Sequence, residues 1–306
     1  MLIMLTGATG TLGRAAVPAL LRAGHEIRAL SREDQARRDV TWVRGDLATG
    51  YGVREAVAGC DAVAHLAALD RATAGDLLSR PGTAPGALTV DATGTRALVA
   101  AAREAGVAHL LHVSAVGAGR AGPLRRRSEA ERLVRESGVA FTVLRTTHLH
   151  QRLDRVLRGL AGSPVLPVDR TLPWQPVDTS EVAGRLTGLL AGGPRRTVIE
   201  YGGPQVLATP ELVATWLTAR RLRRLCPPLR YPGKVAAAQR AGALTTDATP
   251  TGRITWHDYL NPPPMPSEDF AEEHTASPTS PANQPERDPD RHVYGGDEGY
   301  QRPTRG

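Results

Sequence analysis

Thr6-Gly7-Ala8-Thr9-Gly10-Thr11-Leu12-Gly13 decides the fold of this chain. The octet follows the apolar run Leu2-Ile3-Met4-Leu5 and precedes a stretch of helix formers, so it reads as a strand-to-helix turn. Glycines at this spacing let the chain reverse tightly, let backbone amides approach a pyrophosphate, and let the helix pack closely on the strand. The helix N-terminus adds partial positive charge, and Thr9 and Thr11 add hydroxyls. The turn therefore predicts a dinucleotide site in which Gly7, Thr9, Gly10, Thr11, Leu12 and Gly13 surround the phosphates.

Outward from the turn, aliphatic runs at 26–30, 41–43, 62–65, 110–113 and 141–144 alternate with helical patterns at 11–23, 52–58, 87–105 and 126–137. This is the rhythm of a parallel sheet wrapped by crossover helices. Gly24, Gly59, Gly106 and Gly138 stand where the helices should stop. The expected fold is α/β, a Rossmann-type doubly wound parallel sheet over residues 1–145 with a small C-terminal substrate lobe, interleaved with the core, over 146–260. That second region carries helical patterns at 180–191 and 210–219 and a strand at 197–201. Trp256 and Tyr259 predict that the weakly periodic stretch after residue 221 also packs. Residues 261–306 hold nine prolines and few aliphatics, too little apolar surface to offset the entropy of ordering, and are expected to form a disordered tail.

The charge follows the same division. The net +7 of the 306 residues separates into +12 over residues 1–260 and −5 over the tail. Lys234 is the sole lysine, so nearly all the basic charge is arginine, dispersed rather than gathered into a nucleic-acid patch. The two cysteines, Cys60 and Cys226, are in no metal-ligand or redox spacing, which supports neither a disulfide framework nor a zinc site and fits a reducing, cytoplasmic setting. No apolar run reaches the roughly 20 residues that cross a bilayer, and the N-terminus lacks the pattern of a signal peptide.

Open α/β sheets bind ligands at the C-terminal ends of their strands, which directs attention to four further segments. After the second strand comes Ser31-Arg32-Glu33-Asp34. Arg32 favours the 2′-phosphate of NADP(H), whereas Glu33 or Asp34 would meet the ribose of NAD(H). After the third, Asp46 and Leu47 suit an adenine amino group and ring. After the fourth, Leu66-Ala67-Ala68 offers small side chains, Ala67 and Ala68, beside a cofactor. The fifth ends at Ser114.

The sequence resembles the short-chain dehydrogenase/reductase superfamily, in its atypical NmrA-like NAD(P)-binding branch. The resemblance rests on TGATGTLG at 6–13, RGDL at 44–47, HLLHVS at 109–114, GVAFTVLR at 138–145 and WQPVDTSEVA at 174–183, and covers roughly residues 1–220. It implies a catalytic role for Ser114. The Tyr-x-x-x-Lys pair that accompanies such a serine is missing, because Pro123 or Leu124 stands at the tyrosine position and Arg127 at the lysine position. Arginine there suits the nicotinamide ribose or a phosphate but is a poor proton shuttle.

These readings give an oxidoreductase that uses NADP(H) rather than NAD(H) to reduce a small carbonyl, quinone or alkene. The competing class is a catalytically silent NADP(H)-binding sensor that reports redox state to a regulatory protein partner. His148 and His150 are read first as packing residues, and His65 and His112 as core or rim residues. The cluster Arg220, Arg221, Arg223 and Arg224 sits at a helix end, where cations meet the C-terminal dipole. Direct contact with nucleic acid or membrane is not expected.

Overall fold

The computed structural model describes residues 1–67, 90–119 and 125–262. The first half runs β1 (Leu2–Thr6), α1 (Gly13–Arg22), β2 (Glu26–Ser31), β3 (Thr41–Arg44), α2 (Val53–Val57), β4 (Ala62–His65), α3 (Thr95–Glu104), β5 (His109–Ala115), α4 (Arg125–Arg135) and β6 (Phe141–Thr146). The second runs β7 (His148–Leu149), α5 (His150–Leu160), β8 (Pro173–Trp174), β9 (Pro176–Val177), α6 (Thr179–Ala191), β10 (Val198–Tyr201), β11 (Leu207–Ala208), α7 (Thr209–Ala219), α8 (Lys234–Arg240) and α9 (Trp256–Leu260).

The main sheet has seven strands in the order β10-β6-β5-β4-β1-β2-β3, every neighbouring pair parallel. Such a sheet is covered on both faces, which is why its strands read as continuous aliphatic runs. Successive side chains alternate between the two layers. In β1, Ile3 and Leu5 join a core with Val17 and Leu20 of α1 and Val182 and Leu186 of α6. Met4 between them joins the opposite core, with Val57 of α2, Leu98 of α3 and Val134 of α4. Gly24, Gly59, Gly106 and Gly138 lie beyond their helices at φ between 66° and 78°, the left-handed caps expected of them.

The region after β6 divides between two layers. Helix α6 packs on α1 and β10 extends the sheet beside β6, so both belong to the doubly wound core. The remainder builds a third core, with Leu153 and Leu157 of α5, Trp174 of β8, Leu212 and Trp216 of α7 and Trp256 of α9. Trp256 is buried and Tyr259 packs against the cluster, as their retention after residue 221 predicts. The arginine cluster after α7 is structural in part. Arg220 bonds Asp154 at 3.0 Å, and Arg224 donates to the Ala161 carbonyl, at the C-terminal end of α5, through Nε at 2.9 Å and Nη2 at 2.8 Å. The tail expectation falls outside the described residues apart from 261 and 262.

One ion pair ties β6, the strand beside the sheet's edge strand β10, to α4. Glu131 of α4 is 1% exposed and accepts from Arg145 of β6 through Nε at 2.9 Å and Nη2 at 2.7 Å. Removing one partner of a buried pair strands the other's charge, at a cost of about 3–5 kcal/mol. Arg145→Met should therefore lose about 3 kcal/mol of unfolding free energy in denaturant titration. A loss below about 1 kcal/mol, the range of a surface pair, would show the bridge to be energetically idle.

Candidate functional site

The glycine turn shows why each glycine is there. Gly7 has φ +72°, and a methyl on it would stand 2.8 Å from the Ala67 amide nitrogen. A methyl on Gly13 would collide with the carbonyl oxygens of Gly7 and Ala8. Those two are demanded by the fold itself. Gly10 differs, since among the described residues a methyl there would meet nothing but the Gly7 carbonyl oxygen, at 3.1 Å, and its φ is not in the left-handed region. Protein packing leaves its small size unexplained, whereas close approach of a ligand explains it. This is the fit expected of a phosphate-binding turn.

Beside the turn, at the C-terminal ends of β1, β4, β5 and β6, lies a cavity of about 260 Å³. Gly7, Thr9, Gly10, Thr11, Leu12 and Gly13 line one side. Ala67, Ser114 and Arg127 line it too, so nine of the sequence-derived positions converge there. Arg32 is exposed just past the end of β2 and is not part of the lining. Asp46 turns its own loop, its Oδ1 accepting from the Ala48 amide at 2.9 Å, and Leu47 is buried in the core beside Met4 and Val63. Neither lines the cavity. Ala68 and the tyrosine position at 123–124 lie outside the described residues.

Ser114 is 2% exposed, and its buried Oγ has no hydrogen-bond partner among the described residues. A buried hydroxyl without a partner costs about 1–3 kcal/mol, a cost that a bound polar group removes. A polar chain holds β4 in place. Thr6 Oγ1 bonds His65 Nδ1 at 2.7 Å and accepts from the Ala67 amide at 3.2 Å, while His65 Nε2 bonds Thr95 Oγ1 at 3.0 Å. His65 and His112 stack with ring centroids 4.8 Å apart. Burial pushes His112 down to about 4, and the nearby Arg127 charge adds to this. Both rings are buried in the core, as read from the sequence.

Sequence reasoning passed over Thr146, Thr147, Leu149, Arg152, Val235 and Leu244, which also line the wall, and read His148 first as a packing residue, with a substrate-facing proton donor as the alternative. His148 does pack, edge-on against Trp174 at 4.7 Å, and it lines the cavity as well. Burial, reinforced by Arg152, pushes its imidazole down to about 4, so it is neutral at pH 7. The sheet-end rule would have found Thr146 and Thr147, directly after β6. Nothing in the chain before folding marks Val235 or Leu244. Among the described residues no group of acidic, histidine or cysteine side chains could hold a metal, and no helix is long and apolar enough to cross a membrane.

Residues 7–161 match the NAD(P)H-binding family. The chain belongs to it. Its type is the atypical, NmrA-like short-chain dehydrogenase/reductase domain, and the family is reductase-like. The (4-alkanoyl-5-oxo-2,5-dihydrofuran-3-yl)methyl phosphate reductase of Streptomyces griseus is 31% identical over 89% of this family member and 98% of its own length. Sterol demethylase protein B of Methylococcus capsulatus is 32% identical over 57% of this chain and 53% of its own length, so the chain spans about half of that relative. The NADPH-dependent quinone oxidoreductase QOR2 of Escherichia coli, solved with NADPH, superposes with a TM-score of 0.68 over 85% of this chain and 98% of its own, at 17% identity. That likeness is one of fold.

Proposed function

We propose that the protein is an NADPH-dependent oxidoreductase that reduces a small carbonyl, quinone or activated alkene. The reading is carried by Ser114, whose unpartnered Oγ is buried in the wall of the same cavity as the glycine turn. The turn's amides hold the pyrophosphate, and Arg127 meets the nicotinamide ribose or its phosphate. Arg32, exposed past β2, accepts the 2′-phosphate. When bound, reduced nicotinamide supplies a hydride. Ser114 orients the substrate by donating a hydrogen bond from its Oγ to the substrate oxygen, and water supplies the proton that completes the reduction.

Reduction fits these residues better than alcohol oxidation, which needs a positioned base. His148, held near 4, takes a proton too weakly for that task. The reductase name of the Streptomyces relative supports the same direction of reaction.

The test is steady NADPH consumption against a panel of quinones, enones and aldehydes, with cofactor affinity measured alongside. Turnover on at least one class is the expected result. Tight NADPH binding with no consumption across the panel would instead identify a silent, cofactor-responsive sensor. In the same assay Arg32→Ala should weaken NADPH roughly tenfold or more, as expected for loss of a charge-assisted phosphate contact, while leaving NADH little changed. Equal losses for both would return Arg32 to the surface.

A further inference from the structure

We propose that the protein docks on an anionic membrane surface through one face of its lobe, a ribbon that sets two exposed leucines among unpaired cations. None of its residues lines the cofactor cavity, and the inference stands independently of the reductase reading.

Read from the sequence, the cluster at 220–224 belongs to a helix end and no membrane contact is expected. The structure accounts in that way for Arg220 and Arg224 alone, held by Asp154 and the Ala161 carbonyl. Residues 221–226 alternate between exposed and half-buried, the period of an extended chain. Leu222 and Cys226 pack on the lobe core beside Arg224. Arg221, Arg223 and Leu225 are left in solvent.

Segment 225–229 then runs parallel to 164–168. Leu225 and Leu229 donate to the carbonyls of Pro164 and Val168 at 3.0 and 2.9 Å, and Leu166 and Val168 donate to those of Leu225 and Pro227 at 2.7 and 3.0 Å. These bonds fix the ribbon in place. Of the six exposed large apolar side chains among the described residues, three belong to it: Leu225 at 70% exposed, Leu229 at 49%, and Val165, the bridge partner of Leu225, at 38%. Scattered singly they would need no explanation, but gathered they mark a contact surface.

Charge identifies the partner. From 212 to 246 the chain has seven cations and no acidic residue. Asp154 and Asp169 take up Arg220 and Arg240, and a carbonyl takes up Arg224. Arg221, Arg223, Arg230 and Lys234 remain, all exposed, and their side chains make no hydrogen bond or ion pair among the described residues. A bilayer accepts both parts of such a surface, because leucines enter the acyl boundary while cations stay at the phosphates. Nucleic acid would leave the leucines in water and finds no exposed aromatic on the ribbon, since the Tyr231 hydroxyl is tied to the Pro167 carbonyl at 2.8 Å. Nor can a protein strand extend the ribbon, because Pro164 and Pro167 on one segment and Pro227 and Pro228 on the other lack N–H groups. Lys234 opens α8, and the next residue, Val235, lines the cavity, so docking brings that wall to the lipid.

The experiment sediments full-length protein with vesicles of phosphatidylcholine alone and of equal parts phosphatidylcholine and phosphatidylglycerol. The mixed vesicles should bind at least about tenfold more tightly, and the preference should shrink as salt rises. The triple variant Arg221→Gln, Arg223→Gln, Arg230→Gln should lose roughly a hundredfold. Arg22→Gln, Arg38→Gln, Arg103→Gln removes equal charge from exposed positions elsewhere and should lose less than about threefold. Leu225→Ser with Leu229→Ser should lose about tenfold or more with every cation in place. All these side chains are exposed, so each variant should keep its thermal midpoint.

Equal binding to the two vesicle types, equal losses from the two arginine triples, or full binding by the serine variant would overturn the proposal. So would retention by polyglutamate or poly(U) RNA without vesicle binding, which would assign the cations to a protein or a nucleic acid.

Discussion

In the Gly10→Glu variant, the enhancement of NADPH fluorescence on binding should vanish while the fold persists. Among the described residues a Cβ at Gly10 meets only the Gly7 carbonyl oxygen, at 3.1 Å, which a shift of a few tenths of an ångström relieves. The carboxylate then occupies the pyrophosphate approach, both blocking it and repelling its charge. The neighbouring glycine supplies the contrast. In Gly13→Ala the new methyl is driven into the Gly7 and Ala8 carbonyl oxygens, backbone atoms that cannot rotate away. Overpacking of this kind costs about 3 kcal/mol, or roughly 10 °C in thermal midpoint for a domain of this size. One glycine thus separates binding from stability and the other does not. Undiminished NADPH binding in Gly10→Glu, with its melting curve unchanged, would mean that the turn holds no phosphate.

That contrast also marks what the sequence made legible. The motif implied three separate tasks for its glycines, and only the distances to Ala67, Gly7 and Ala8 show which of them the fold itself demands. The six strands from β1 to β6 could be read because a strand buried on both faces has no polar alternation to confuse it. The place of β10 could not. Its aliphatic run announces a strand, but nothing local says that Val198 lies beside Val143 rather than within the lobe. Helix α6 was likewise grouped with the lobe by chain order and packs instead on α1, a contact made across more than a hundred residues.

The candidate site follows the same rule. Residues adjacent to a strand end, such as Ser114 and Ala67, were found because topology places strand ends at the ligand. Leu47 shows the limit of that inference. Asp46 closes a tight turn onto the Ala48 amide and pairs with Tyr51, and Leu47 is buried among core residues. Hydropathy alone does not say which way a loop residue faces. Arg152, Val235 and Leu244 reach the cavity through the packing of α5 and α8, whose positions depend on the lobe core around Trp174, Trp216 and Trp256.

Acidification should unfold the protein in a window set by its buried histidines. His112 is neutral in the fold, held at about 4 by burial and by Arg127, against an ordinary value of 6.5. His109 is likewise pushed down to about 4, and His65 well below its ordinary value, chiefly by burial. A depressed folded value means that the unfolded chain takes up protons first. The stabilisation is therefore complete above pH 6.5 and is lost as the pH falls towards 4. At pH 5 the loss for His112 alone is about 2 kcal/mol, a large share of a typical total of roughly 5–15 kcal/mol.

The pair makes the effect steeper, because protonating both His65 and His112 would set two cations within stacking distance at 4.8 Å. Carboxylates do not confuse this window. Burial acts to raise these carboxylates but is outweighed, for Asp154 and Asp169 by hydrogen bonds and neighbouring arginines and for Asp178 by hydrogen bonds from Ser180 and Gln151, so all three stay below their ordinary 3.8 and their contribution persists until the pH nears that value. Guanidinium chloride midpoints measured from pH 7.5 to 4.5 should fall continuously below 6.5. His112→Phe should flatten the slope by close to one proton, and His109→Gln offers the same reading at a second site should the first variant fold poorly. Midpoints unchanged between pH 7 and 5 would show that these histidines titrate alike in the folded and unfolded chain, and that the polar layer beneath the cavity admits water.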